Sequence, residues 1–474
     1  MPDTTSRIAD IPNGMETHYA FDGSGRMTSI AHRDGANVRQ GWTYDLMPGG
    51  NVAAVTAQDG SKWAYEHDGR NRLTVAERYD TDGTTLLHRY SYTYDDGDSL
   101  LASAALDAAA SAITTTAFAY NDANELVSQA VGGTNTSFAY DAWGRMTSKS
   151  DGTWSATYAY RYGGKLASVM SDFPSEGNAS YQYDGAGKRR QRTGGGTTTR
   201  YRWDVGWNVL NEEDNLGSLA RTHIMDSPLA EVAGILGDVA GANPATGAYR
   251  YYVSDHLGST RGLYDGGKSA LGGYEYSPYG ELYANSGNVA LEGLAAAFTG
   301  KPWDAAAQMY FFPYRWYSPS AARWLARDPL GMVDGLNVYA YARYAPTNQQ
   351  DPLGLCSCEE NCRDKRDQCL EMVDARHQQR IATINKNTIE CVATAGAATG
   401  VICIVGCMAL AVPAFVATCI GLCLPYGAGS VTATLCGYEA ASALLRESVT
   451  NTEAKENCFI QFKHCMNGCE TKPE

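Results

Sequence analysis

Phe138-Ala139-Tyr140-Asp141-Ala142-Trp143-Gly144-Arg145-Met146-Thr147-Ser148 decides the fold. Phe138 and Tyr140 are two residues apart, so on an extended strand both rings leave from one face. Asp141 to Gly144 is turn chemistry: the Asp side chain accepts nearby backbone N–H groups, and the Gly takes a positive φ. Arg145-Met146-Thr147-Ser148 then returns as a short strand. One such unit is a β-hairpin with an aromatic face, too small to be stable alone.

The unit recurs along the chain. It reads Tyr19-Ala-Phe21-Asp22 with Gly25-Arg26, Trp42-Thr-Tyr44-Asp45, Trp63-Ala-Tyr65-Glu66 with Gly69-Arg70, and Tyr92-Thr-Tyr94-Asp95. It continues as Phe118-Ala-Tyr120-Asn121, Tyr158-Ala-Tyr160-Arg161, and Tyr181-Gln-Tyr183-Asp184 with Gly187-Lys188. Tyr120, Tyr140 and Tyr160 are spaced by 20, and Tyr183 follows after 23. Stacked hairpins of this kind make one long, coiled antiparallel sheet. A propeller or another β-array has the same period; the Tyr-Asp signature separates them.

That signature resembles the YD repeats of the Rhs family, over roughly residues 15–355. The C-terminal end of the region is the most specific. It reads Tyr251-Tyr-Val-Ser-Asp255-His256-Leu257-Gly258, then Tyr274-Glu-Tyr276-Ser-Pro278-Tyr279-Gly280, Phe298-Thr-Gly300-Lys301 and Tyr310-Phe-Phe-Pro-Tyr314-Arg315-Trp316-Tyr317. It ends with Arg323-Trp-Leu-Ala-Arg327-Asp328-Pro329-Leu-Gly331, Gly335-Leu-Asn337-Val-Tyr339-Ala-Tyr341 and Asp351-Pro352-Leu353-Gly354-Leu355. This series resembles the Rhs-associated core domain. The resemblance implies repeats that wind into a β-shell, a core domain that plugs it, and a variable C-terminal domain, usually a toxin. The family has Asn before the Pro between the two Asp-Pro motifs; here that position is Ala345.

The composition breaks where that boundary is expected. All 13 Cys lie at or after position 356, and 29 of the 31 Tyr lie before it. The expected organisation is therefore repeats over 1–245, a core domain over 246–355 and a cysteine-rich domain over 356–474. The fold class is a mostly β N-terminal unit followed by an α-helical, cysteine-rich C-terminal domain. A balance of 38 basic against 52 acidic residues, net −14, suits neither nucleic acid nor an anionic membrane surface. The N-terminal Met-Pro-Asp-Thr-Thr-Ser-Arg has no apolar core, so no signal peptide is read in this chain. The expectation is a secreted or surface protein that leaves by a non-Sec route.

The resemblance also implies self-cleavage after the final Asp-Pro-x-Gly-Leu, between Leu355 and Cys356, by single-turnover aspartic-type chemistry. The matching residues are Asp328, Asp351 and Arg327, with Asp334 as a spare. Two close carboxylates share one proton, so one acts as acid and the other as base. Arg327 is expected to hold the pair or stabilise the oxyanion. Asp-Pro-x-Gly is also ordinary turn chemistry. The 8 His show no metal spacing, and no cofactor is called for. Asp255-His256 reads as structural, Gly194-Gly-Gly196 as a turn, and Lys188-Arg-Arg-Gln-Arg192 as a solvated edge.

The tail's cysteines have mirror symmetry. Cys358 with Cys469, Cys362 with Cys465, Cys369 with Cys458, Cys391 with Cys436, Cys403 with Cys423 and Cys407 with Cys419 all centre near Pro413. Spacings of 4 and 7 keep the outer cysteines on one helix face. The expectation is an antiparallel helical hairpin with those six disulfides and Cys356 left over. Residues 391–438 carry no charge. They read either as a membrane-inserting hairpin or as the core of a small disulfide-rich domain.

The leading functional reading is a polymorphic toxin whose shell encloses and releases this effector. Its implied partners are an immunity protein, a target membrane, and a secretion-system or longer N-terminal shell component. A surface or adhesive YD-repeat protein with a structural tail is the first alternative. An enzymatic C-terminal toxin is the second, although no catalytic constellation stands out in the tail.

Overall fold

The computed structural model describes residues 6–355, apart from 227–232, 242, 244–245 and 333–334. The chain divides between Ser357 and Cys358. The helical hairpin, its disulfides, Cys356 and the spare Asp334 therefore lie outside the described residues.

The repeats form one 25-stranded antiparallel sheet running from Ser6–Ile11 to Leu282–Gly287. Each strand pairs with the next in sequence, as Phe118 lies opposite Gln129 and Phe138 opposite Lys149. The sheet shows no break at 245/246, because Ile235–Ala240 pairs with Ala248–Ser254 directly across that point. Among the described residues no helix is long and apolar enough to cross a membrane.

The turn of the quoted unit is built as its sequence implies. Asp141 Oδ1 accepts the N–H groups of Trp143 and Arg145, both at 3.0 Å, and Arg145 Nε donates to Oδ2 at 2.7 Å. Gly144, at φ +71°, closes the turn through its N–H to Asp141 O at 2.9 Å. The same clamp joins Arg26 to Asp22. In the third copy the register differs from the sequence reading. Asn71, not Gly69, takes the positive φ, and Arg72, not Arg70, clamps Asp68 at 2.7 Å. Asn tolerates the left-handed region, so the unit needs no Gly there.

The two rings of a unit do different work. The first is buried in six units, where Trp42, Trp63, Tyr92, Phe118, Tyr158 and Tyr181 lie in the core, and partly buried against it in two, at Tyr19 and Phe138. The second reaches an earlier strand. The hydroxyls of Tyr94, Tyr120 and Tyr160 donate to the carbonyls of Leu73 at 2.6 Å, Leu100 at 2.8 Å and Met146 at 2.7 Å. The register slips by one residue at each of these second rings. Such bulges bend a strand and increase its twist, so a bulge in every hairpin coils the sheet. The coil brings distant strands together. His32 Nε2 lies 3.0 Å from Ser254 O, and the rings of Tyr92 and Tyr279 lie 5.0 Å apart.

The run Lys188–Arg192 is not a solvated edge. Arg189–Gly194 is an interior strand, paired on both sides. Arg189 is buried 4.0 Å from the Phe311 ring centre, and Arg192 forms a two-pronged pair with Asp304 at 2.8 and 3.1 Å. A basic run on a two-sided strand is tolerated when aromatic faces and a buried carboxylate receive its cations.

Residues 288–355 pack as a plug against this wall. They hold a four-stranded sheet, Trp303–Asp304, Met309–Phe311, Trp316–Ser318 and Arg323–Trp324, over a cluster that includes Phe298, Tyr310, Phe312, Tyr317, Trp324 and Tyr341. The plug is hydrogen-bonded to the wall, since Met146 N donates to Leu325 O at 3.1 Å and Arg145 bridges to Ala326. Between the two Asp-Pro motifs, Ala342, Arg343 and Tyr344 have φ of +47°, +51° and +58°. A left-handed run of residues that carry a Cβ is strained, by roughly 1–2 kcal/mol each. The Arg343 side chain is exposed. Arg343→Gly should therefore raise stability by about 1 kcal/mol, measured by urea unfolding. A loss of stability would mean that the guanidinium makes a contact worth more than the strain.

Candidate active site

The site begins with a tight turn, Phe312-Pro313-Tyr314-Arg315, closed by Phe312 N–H to Arg315 O at 3.1 Å. It joins two buried strands and leaves Arg315 as a cation inside an aromatic cluster, 4.2 Å above the Trp324 ring. Only 3 % of Arg315 is exposed, and a charge so buried needs partners. It has two. Arg315 Nη2 lies 2.8 Å from Asp328 Oδ2 and 2.9 Å from Asp351 Oδ2. The fold thus brings together two carboxylates that are 23 residues apart in sequence.

Both aspartates also make turns. Asp328 Oδ1 accepts Leu330 N–H at 2.8 Å, and Gly331, at φ +79°, donates to Asp328 O at 3.1 Å. Asp351 Oδ1 accepts the N–H groups of Gly354 and Leu355, each at 2.8 Å, and Gly354 has φ +75°. The turn role and the paired role are compatible: in each residue Oδ1 caps the turn while Oδ2 faces the shared guanidinium. Asp-Pro-x-Gly is the device that aims the second oxygen.

One cation between two carboxylates leaves an excess negative charge under the surface. Burial pushes the Asp328 carboxyl up to about 6; Arg315 pulls it down and Asp351 adds to the rise. Asp328 is therefore a group that takes and gives up a proton near neutral pH. The segment that follows Asp351 lies flat on the Arg315 turn. Arg315 Nε donates to Gly354 O at 2.7 Å, and Tyr314 N–H donates to Leu353 O at 3.0 Å. A Cβ on Gly354 would stand 3.2 Å from Arg315 N and 3.3 Å from Phe312 Cβ, so close approach as well as positive φ requires Gly.

Known proteins are similar to parts of this chain. An RHS Repeat family model matches residues 114–153. Toxin subunit YenC2 of Yersinia entomophaga is 33 % identical over 127 residues, 26 % of this chain and 13 % of that one. Toxin protein Tse5 of Pseudomonas aeruginosa is 47 % identical over 58 residues, 12 % of this chain and 4 % of that one. The TcdB2-TccC3-Cdc42 crystal structure matches with a TM-score of 0.58 at 21 % identity, over 72 % of this chain and 18 % of that one. The chain carries an Rhs, or YD, repeat and is similar to Rhs-type proteins. It spans only a small part of the length of the toxins it resembles.

In this Rhs-repeat chain, Asp328 and Asp351 meet, and Leu355 begins directly at Asp351. Arg327 does not join them. Adjacent residues of an extended segment point to opposite sides. Arg327 therefore turns away, with Nη2 3.1 Å from Glu125 Oε1 and Nε 3.3 Å from the Tyr339 hydroxyl. The arginine that holds the pair is Arg315, to which the sequence reading gave no role. Its signal was a single cation in an otherwise uncharged aromatic run, Tyr310 to Tyr317. His256 Nε2 bonds Thr347 O at 3.0 Å. Among the described residues no group of His, Cys, Asp and Glu could hold a metal ion.

Proposed function

We propose that this Rhs-repeat chain is a polymorphic toxin whose wall and plug cut the chain between Leu355 and Cys356, releasing residues 356–474 as the effector. The observation that carries the reading is the pair of buried carboxylates on one guanidinium, with Leu355 N–H held by the second of them. The Leu355 carbonyl carbon is only about 2.5 Å from that nitrogen, so the scissile bond begins beside Asp351. Asp351 takes a proton from water as the oxygen attacks this carbon. Protonated Asp328 gives its proton to the carbonyl oxygen. Asp351 gives its proton to the Cys356 nitrogen as the C–N bond breaks, and Asp328 takes one back from the diol, leaving a Leu355 carboxyl group and a Cys356 amine. Arg315 neutralises charge throughout and keeps both oxygens aimed.

The toxin names of YenC2 and Tse5 support the wider reading, as does the change of composition at 356. An immunity protein, a further shell component, secretion by a non-Sec route and a target membrane complete the proposal. Intact-mass measurement and N-terminal sequencing of the purified chain test it. Two pieces are expected, one ending at Leu355 and one beginning at Cys356. A chain that stays whole after long incubation at pH 5 to 7 defeats the reading. For the released tail, dye leakage from vesicles separates membrane insertion from an enzymatic effector.

A further inference from the structure

Everything in the proposed self-cleavage site hangs on the turn at 312–315. Its Arg315 reaches both aspartates and Gly354, and its Tyr314 N–H holds Leu353. Its own internal hydrogen bond fixes its shape but not its place in the molecule. A cavity of about 20 Å³, lined by Lys165, Tyr183, Leu325 and the turn itself, lies along one side. Side-chain packing leaves a gap there, and a contact from outside the plug spans it.

That contact is a tether from the wall. Lys165 belongs to a repeat turn between the strands Ser155–Tyr160 and Leu166–Ser171. Its Nζ donates to Pro313 O at 2.8 Å. The same nitrogen stands 4.6 Å from the Tyr314 ring centre and 5.6 Å from that of Trp207, another wall residue. The Trp207 and Tyr314 rings are 5.0 Å apart. The ammonium thus grips both central residues of the turn, one through its carbonyl and the other through its ring. Burial among these groups pulls the Lys165 ammonium down to about 8, so the contact is largely withdrawn from water.

We propose that Lys165 is a positioning residue for self-cleavage. By fixing the Pro313-Tyr314 peptide it sets Arg315 on the two aspartates, and it makes release of the tail conditional on the wall having wound far enough to present it. The plug then has no competent site until the repeat that carries Lys165 has packed against it. The order of events that follows is enclosure first and cutting second.

This inference rests on the self-cleavage reading, and the experiment keeps the two apart. The full chain is expressed as wild type, Lys165→Met, Lys165→Arg and Lys268→Met, and the appearance of the piece beginning at Cys356 is timed. Lys165→Met keeps the apolar stem and removes the cation. A displacement of about 1 Å at a reacting centre costs on the order of a hundredfold, so a slowing of tenfold to a hundredfold is expected. Lys165→Arg retains a donor and a cation and should restore cutting to within a few fold. Lys268→Met is the control for general damage to the wall, because Lys268, also in a repeat turn, bonds Gly14 O and Asp34 Oδ1 of the wall and has no contact with the turn or with Trp207. It should cut at the wild-type rate. If the wild type itself does not cut, the self-cleavage reading fails and takes this inference with it. If the wild type cuts and Lys165→Met keeps pace, the tether alone is refuted. Equal slowing in Lys165→Met and Lys268→Met, or no rescue by Lys165→Arg, also refutes it, since wall packing then explains the loss.

Discussion

Arg315→Met should destabilise the folded chain by about 3–5 kcal/mol at pH 7.5 and stop self-cleavage. The substitution keeps most of the apolar stem over Trp324 but leaves two carboxylates facing each other under the surface. Asp351 is 1 % exposed and Asp328 8 %, so water cannot replace the lost cation without opening the plug. Removing one partner of a buried ionic cluster costs more than the cluster contributes, because the partners left behind keep their desolvation penalty. The carbonyl of Gly354 also loses its donor. Two further measurements separate this cause from simple loss of packing. The cost should shrink at pH 5, where Asp328 takes up a proton. It should shrink again in Arg315→Met/Asp328→Asn, which buries one carboxylate instead of two. Urea unfolding of the three chains at both pH values gives the comparison. A cost below about 1 kcal/mol at pH 7.5, or one that ignores pH, would show that the carboxylates do not depend on the guanidinium.

Local chemistry was readable in the sequence because it is repeated and close-range. Aromatic-x-aromatic gave the strand faces, and Asp-x-x-Gly gave the turns. Local signals also set the limits of that reading. The third unit was aligned on Gly69 although Asn71 takes the left-handed position, because Gly is the stronger turn marker and the unit contains both. The second ring of each unit looked like a copy of the first. Only the paired strands show that its hydroxyl, as in Tyr120 to Leu100 O, ties one hairpin to an earlier one. The basic run at 188–192 looked solvated because nothing near it in sequence receives its charge. Its partners, Asp304 and Phe311, lie more than 100 residues away.

The site follows the same rule. Asp328 and Asp351 carried a motif and were found by it. Arg315 sits 13 residues before the first of them and belongs to the pair only through the fold of the plug. Arg327 was preferred because it is adjacent to Asp328, yet adjacency on an extended segment places two side chains on opposite sides. Sequence proximity therefore argued for the wrong arginine. The better sequence argument was environmental: a lone cation in a run of rings must find a carboxylate when it is buried.

Self-cleavage should slow about tenfold for each pH unit above about 6, and Asp328→Asn should abolish it, lowering the rate by a factor on the order of a thousand or more. The carboxyl of Asp328 is pushed up to about 6, first by burial. Below that pH it carries the proton it must give to the Leu355 carbonyl; above it, a falling fraction of chains does. The same shift has a consequence for stability with a definite sign. A carboxyl normally near 3.8 that titrates near 6 in the fold binds more protons folded than unfolded between those values. Its contribution is therefore fully present below about 4 and is lost as the pH rises through about 6. Cutting and stability should weaken together over the upper part of that window, although one is a rate and the other an equilibrium. Asp328→Asn separates them. The amide keeps an oxygen for Leu330 N–H, so the turn survives, and it carries no charge, so the pH-dependent loss of stability should flatten. It has no proton of suitable acidity to give, so cutting should cease in a chain that stays folded. Timed gels from pH 4.5 to 8, run beside urea unfolding at the same pH values, test both halves. If Asp328→Asn still cuts, or if the wild-type rate is level from pH 5 to 8, Asp328 does not supply the proton and is left with its turn alone.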